Sequence, residues 1–130
     1  MRQLPVASEI EVVGAGEQEP ELRAAAAAAL SAAGVDDGHL ALTIVAAGEI
    51  RRLNSAHRDR DASTDVLSFP LDATGVSTGP RELGDVVLCP EHCDDLVEAA
   101  VHGVLHLCGY DHETDAGEML ALQDEVMRTL

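Results

Sequence analysis

Three histidines stand in the stretch HGVLHLCGYDH: His102, His106 and His112. Two histidines four residues apart on a helix share one face, with Cβ atoms ~6 Å apart. That is close enough for both imidazoles to hold one metal ion at ~2.0–2.1 Å each. Gly109 can take up a left-handed conformation and end the helix. The chain then turns back, and His112 can bring in a third ligand. Three protein ligands leave a fourth position open to water, the pattern of catalytic rather than structural zinc sites.

The spacing matches H-E-x-x-H-x-x-G-x-x-H, the signature of zinc peptidases of the metzincin type, at every metal and turn position. It departs at Gly103, which stands where that signature carries the glutamate that takes a proton from the attacking water. A ligand frame is present and the peptidase base is missing. Lewis-acid metals lower the pKa of water toward ~7, so hydrolysis of another bond class needs no dedicated carboxylate.

Four of the eight arginines, Arg51, Arg52, Arg58 and Arg60, fall in one short stretch and form the only basic concentration in the chain. Phosphate groups require such a concentration. Arg51 and Arg52 also fit a solvated helix face, neutralised by neighbouring acids. Asp65, Ser68, Asp85 and Asp111 are candidate contacts for a ligating imidazole or for substrate, with turn and cap roles the simpler expectation for Asp65, Asp85 and Asp111. His39, His57 and His92 read as ordinary polar residues. The cluster Cys89-Pro-Glu-His92-Cys93 lacks a second pair at structural-zinc spacing and reads as buried or incidental thiols.

The 130 residues carry a net charge of −16, with no lysine and only Phe69 and Tyr110 as aromatics. Acidity of this size disfavours non-specific attraction to nucleic acid or anionic lipid. Three cysteines have no disulfide-framework spacing, the N-terminus lacks a signal-peptide core and no apolar run reaches membrane-spanning length. A cytoplasmic, reduced protein of one domain, residues 1–130, is expected, with no membrane partner.

Alternation of apolar residues predicts strands over 8–13, 39–46, 64–69 and 85–89. Pro20 and Gly34 bracket a helix over 20–33. A short helix is expected over 48–57, a long one from Glu91 to Cys108, and a last one over 115–128. Residues 72–84, rich in glycine and hydroxyls, read as a loop. The order implies an α+β fold, a small, mostly four-stranded sheet packed against helices, with a zincin-like histidine helix.

HGVLHLCGYDH at 102–112, LNSAHRDRDASTDVLSFP at 53–70 and LGDVVL at 83–88 together resemble the YbeY family of metal-dependent endoribonucleases. The resemblance runs from about residue 40 to the C-terminus. It implies a single-strand-specific endoribonuclease acting in rRNA processing, at the 3′ end of small-subunit rRNA, and in ribosome quality control. It implies one zinc ion per chain on His102, His106 and His112, and a requirement of Arg58 for activity. RNA is the implied substrate, and the ribosome or a ribosome-associated protein the implied partner. Two other readings use the same residues: a zinc peptidase or amidase, and a non-catalytic ribosome-associated module whose metal only fastens helix to loop. Only twelve residues separate Cys89 from His102, fewer than the family usually carries there, so a separate helix before the histidine helix is expected to be shortened or merged with it.

Overall fold

A computed structural model describes residues 9–35, 38–58, 64–70, 81–111 and 115–130; of Glu9, His57, Arg58 and Arg81 it describes the backbone. Four strands, β1 (Glu9–Val13), β2 (Gly38–Ile44), β3 (Val66–Pro70) and β4 (Arg81–Leu88), form one mixed sheet in the order β1-β2-β4-β3. β1 and β4 run parallel to β2, and β3 pairs antiparallel with β4. The helices are α1 (Glu19–Ala32), α2 (Ala47–Arg58), α3 (Leu96–Leu107) and α4 (Glu118–Thr129). This is the expected α+β architecture.

The helices divide between the two faces of the sheet. α1, α3 and α4 pack over one face, on a core of Leu22, Leu30, Leu40, Leu42, Val86, Leu88, Val104 and Leu105. α2 covers the other face through Ile50 and Leu53, against Leu67, Val87 and Phe69. α1 presents Leu22, Ala25, Ala26, Ala29 and Leu30 inward. Its alanine stripe allows close approach to α3, which is buried along most of its surface.

Two helix ends are built alike. Past α1, the Gly34 N–H donates to Ser31 and the Val35 N–H to Leu30. Past α3, the Gly109 N–H donates to His106 and the Tyr110 N–H to Leu105, at 3.0 and 3.1 Å. Both are Schellman closures, and both need a residue at positive φ. Gly34 and Gly109 supply it at +78° and +103°.

Three boundaries differ from the sequence reading by three residues or more. β4 begins at Arg81, inside the stretch read as loop. Its pairing with β2 skips one residue, Leu83, between Glu82 and Gly84. This irregularity turns Leu83 toward the α1/α3 core and breaks the alternation that would have advertised a strand. The histidine helix begins at Leu96, not Glu91. Pro90–His92 forms a separate 3-10 turn, and Asp95, extended at φ −137°, caps α3 by accepting the Glu98 N–H at 3.1 Å. The last helix starts at Glu118, because Asp115 first spends its carboxylate on the N–H groups of Gly117 and Met119. Residues 71–80, the greater part of the expected loop, lie outside the described residues.

Candidate metal centre

Glu98, His102 and His106 form a half-buried i, i+4 row on a helix whose other residues are buried from Ala99 to Leu107. The row opens to solvent because the sheet holds the opposite side of α3. Gly103 lies against β3 and β4 there: a Cβ built on it would come 2.6 Å from Val86 Cγ1 and 3.0 Å from Val66 Cγ2. Ser68 Oγ donates to the Gly103 carbonyl at 3.0 Å, pinning the edge strand to the histidine turn. The glycine between the two histidines is therefore a packing requirement. A glutamate has no space at this position, and its side chain would point at the sheet.

Each imidazole is oriented through its Nδ1. His106 Nδ1 lies 3.0 Å from the Tyr110 carbonyl, which the Schellman turn carries back to the ring. A carbonyl only accepts, so the His106 proton is on Nδ1. His102 Nδ1 lies 2.8 Å from Gln123 Oε1 on α4, which likewise accepts. With both protons on Nδ1, the two Nε2 atoms face each other as lone pairs at 3.2 Å, with ring centroids 4.7 Å apart. Two acceptors do not hydrogen-bond to each other. A tetrahedral ion at ~2.0–2.1 Å from each nitrogen would separate them by about 3.3 Å. The pair fits a shared cation in both distance and protonation.

A cleft of about 240 Å³ lies beside His102, and Asp65, Asp94, Asp95 and Glu98 are among the residues lining it. Four carboxylates favour a cation there and repel an uncompensated phosphate. Among the described residues no three His, Cys, Asp or Glu side chains form a metal-holding group. His112, the expected third ligand, lies outside the described residues.

The remaining candidates separate spatially. Asp65 lines the cleft, while its Oδ1 accepts the Val66 N–H at 2.9 Å and its backbone carbonyl accepts from Cys89. Ser68 holds the Gly103 carbonyl. Asp85 is exposed on the other face of the sheet, where it lines a groove of about 390 Å³ with Thr43, Glu49, Leu53 and Phe69. It is thus remote from the imidazoles by strand alternation. Asp111 is exposed, and its backbone carbonyl accepts the Asp115 N–H at 3.0 Å. Arg58 is the last residue of α2, with its side chain outside the described set. Arg52 is spoken for by Glu49, 2.5 Å away on the same helix. His39 sits between Glu82 and Glu11 across three strands, as an ordinary polar residue does.

Cys93 also lines the cleft. Burial, followed by the charge of Asp65, pushes its thiol up from 9.0 to about 11. Raised in the fold, the group leaves stability unchanged below pH ~9 and lowers it as pH climbs from ~9 to ~11, where the unfolded chain has lost the proton and the folded chain keeps it. We expect peptide-resolved alkylation of Cys93 to be slow at pH 7–8 and to accelerate only toward pH 11. Fast modification at neutral pH would show a thiolate where burial forbids one.

Two features escaped the sequence reading: the packing role of Gly103 and the contact of Gln123 with His102. The second had a signal. Gln123 interrupts the apolar row Met119, Gln123, Val126 and is itself only 9% exposed. An amide in a buried row needs a partner.

An α+β domain with paired, tautomer-fixed imidazoles on a sheet-packed helix is a frame for hydrolytic chemistry without a glutamate base. The sequence profile of the family described as Endoribonuclease YbeY matches residues 10–130. The chain is 35% identical over 127 residues to an Endoribonuclease YbeY of Macrococcus caseolyticus, covering 83% of this chain and 82% of the relative. It is 40% identical over 94 residues to that of Nautilia profundicola, covering 63% and 65%. The solution structure of TM1509 from Thermotoga maritima shares the fold, with a TM-score of 0.57 and 28% identity over 92% of this chain and 87% of that one. The chain belongs to the YbeY endoribonuclease family. No helix among the described residues is long and apolar enough to cross a membrane.

Proposed function

We propose that this chain is a metal-dependent endoribonuclease of rRNA maturation, with one zinc ion held by His102, His106 and His112. The observation that carries the metal reading is the pair of Nε2 lone pairs converging at 3.2 Å, each fixed by a hydrogen bond at the other nitrogen. When bound, the ion would supply Lewis acidity and positive charge to phosphodiester cleavage. The chain's own residues do the rest. Tyr110 and Gln123 orient the rings, and Gly103 seats the helix so that they face outward. Arg58 offers a planar guanidinium that pairs with a phosphoryl group in two places and offsets charge developing on it.

The substrate is RNA, cut in single-stranded regions, and the 3′ end of small-subunit rRNA is its site of action. The acidic cleft and the net charge of −16 make naked RNA a weak ligand, so the ribosome or a ribosome-associated protein delivers the substrate. A metal that merely fastens α3 to the following turn is not needed, because backbone hydrogen bonds already close that turn.

Cleavage of a structured rRNA fragment by Arg58→Ala tests the proposal. We expect the rate to fall about 100- to 1,000-fold, the scale of losing one transition-state donor, with metal content retained. Unchanged cleavage would remove Arg58 from the machinery.

A further inference from the structure

We propose that Gln123 is a positioning residue that sets the tautomer of His102 and so decides whether the centre can accept a metal. The inference rests on the metal reading above and deepens it.

The two imidazoles are oriented by unlike groups. His106 faces a backbone carbonyl, which has no donor to offer. His102 faces a side-chain amide, which has an acceptor at one end and a donor at the other. With Oε1 toward the ring, the His102 proton sits on Nδ1 and its Nε2 lone pair turns to His106. With the amide reversed, that proton moves to Nε2. It then lies in the 3.2 Å gap as a hydrogen bond to His106, and no cation fits. The structure has Oε1 toward the ring. Gln123 also lines the cleft beside His102 and lies on α4, between Met119 and Val126. The docking of the C-terminal helix is thereby joined to the state of the centre.

Gln123→Glu keeps length and shape but is an acceptor at both oxygens. Gln123→Met keeps length and volume and accepts poorly. Zinc affinity, measured by competition with a chromophoric chelator, is expected to equal or exceed the wild-type value in the first and to fall about 10- to 100-fold in the second. In zinc-free Gln123→Glu, nitrogen NMR of His102 is expected to report the Nδ1–H form. Wild-type affinity in a folded Gln123→Met overturns the inference, and so does a Gln123→Glu that binds zinc more weakly than wild type. The latter comparison decides even where the methionine variant fails to fold. A wild-type chain that binds no zinc at all overturns the metal reading and this inference together. Zinc binding indifferent to residue 123 overturns only this one.

Discussion

Gly103→Glu, which restores the residue that zinc peptidases carry after their first histidine, is expected to unfold the chain and to create no peptidase. The reason is spatial. Even one added carbon at this position meets Val86 Cγ1 at 2.6 Å and Val66 Cγ2 at 3.0 Å. Both are short, branched side chains on paired strands with little freedom to yield. In Gly103→Ala, overpacking of ~1–3 kcal/mol is opposed by a gain of ~1 kcal/mol in helix propensity, so a net loss of about 1 kcal/mol should appear in denaturant midpoints. Glutamate adds four further heavy atoms and a charge facing the sheet. Its penalty belongs with the rare losses above ~4–5 kcal/mol, a large part of the ~5–15 kcal/mol that holds a typical domain. Circular dichroism and thermal melting check both variants. A stable, native-like Gly103→Glu would show that the helix is not seated on Val66 and Val86. It would also reopen the peptidase reading.

His106→Ala should have the opposite profile, nearly silent for folding and decisive for function. The side chain is half-buried, and its hydrogen bond is to a carbonyl at a surface turn. Its loss costs ~0.5–1.5 kcal/mol, partly offset by the better helix propensity of alanine. The function loses one of the two convergent Nε2 atoms, and with it one of the three proposed ligands, leaving only His102 and His112 to hold the ion. Removing an orienting group commonly lowers metal affinity 10–100-fold. Removing the ligand itself should exceed ~100-fold, with RNA cleavage falling in parallel. Chelator competition and a cleavage time course on one preparation check the pair of effects. A folded His106→Ala that cleaves at the wild-type rate would detach the histidines from the reaction.

Much of this arrangement was legible because local chemistry and global fold agree. Pro20 and Gly34 bracket a helix expected over 20–33 and found at Glu19–Ala32. Gly109 ends the histidine helix at positive φ, as its place in HGVLHLCGYDH predicts. The failures have identifiable causes. Helical periodicity cannot tell a first turn from a preceding 3-10 turn, so the start of α3 was set by the Asp95 side chain, which periodicity does not register. The start of β4 was hidden because the extra residue at Leu83 interrupts alternation just where alternation would have been read. The remoteness of Asp85 follows from which side of a strand it occupies, and that requires knowing which face α3 covers. Gly103 could be recognised as a departure from a peptidase signature, but its reason lies on β3 and β4, far away in sequence. The same holds for Gln123, whose partner sits on another helix.

The paired imidazoles are proposed to belong to a metal-dependent ribonuclease centre. The most direct test is elemental analysis of the purified protein before and after chelation, with cleavage of a structured rRNA fragment followed at each stage and again after zinc is restored. About one metal ion per chain is expected, with cleavage that disappears with the ion and recovers on its return. Full cleavage by protein from which all metal has been stripped would contradict the metal reading.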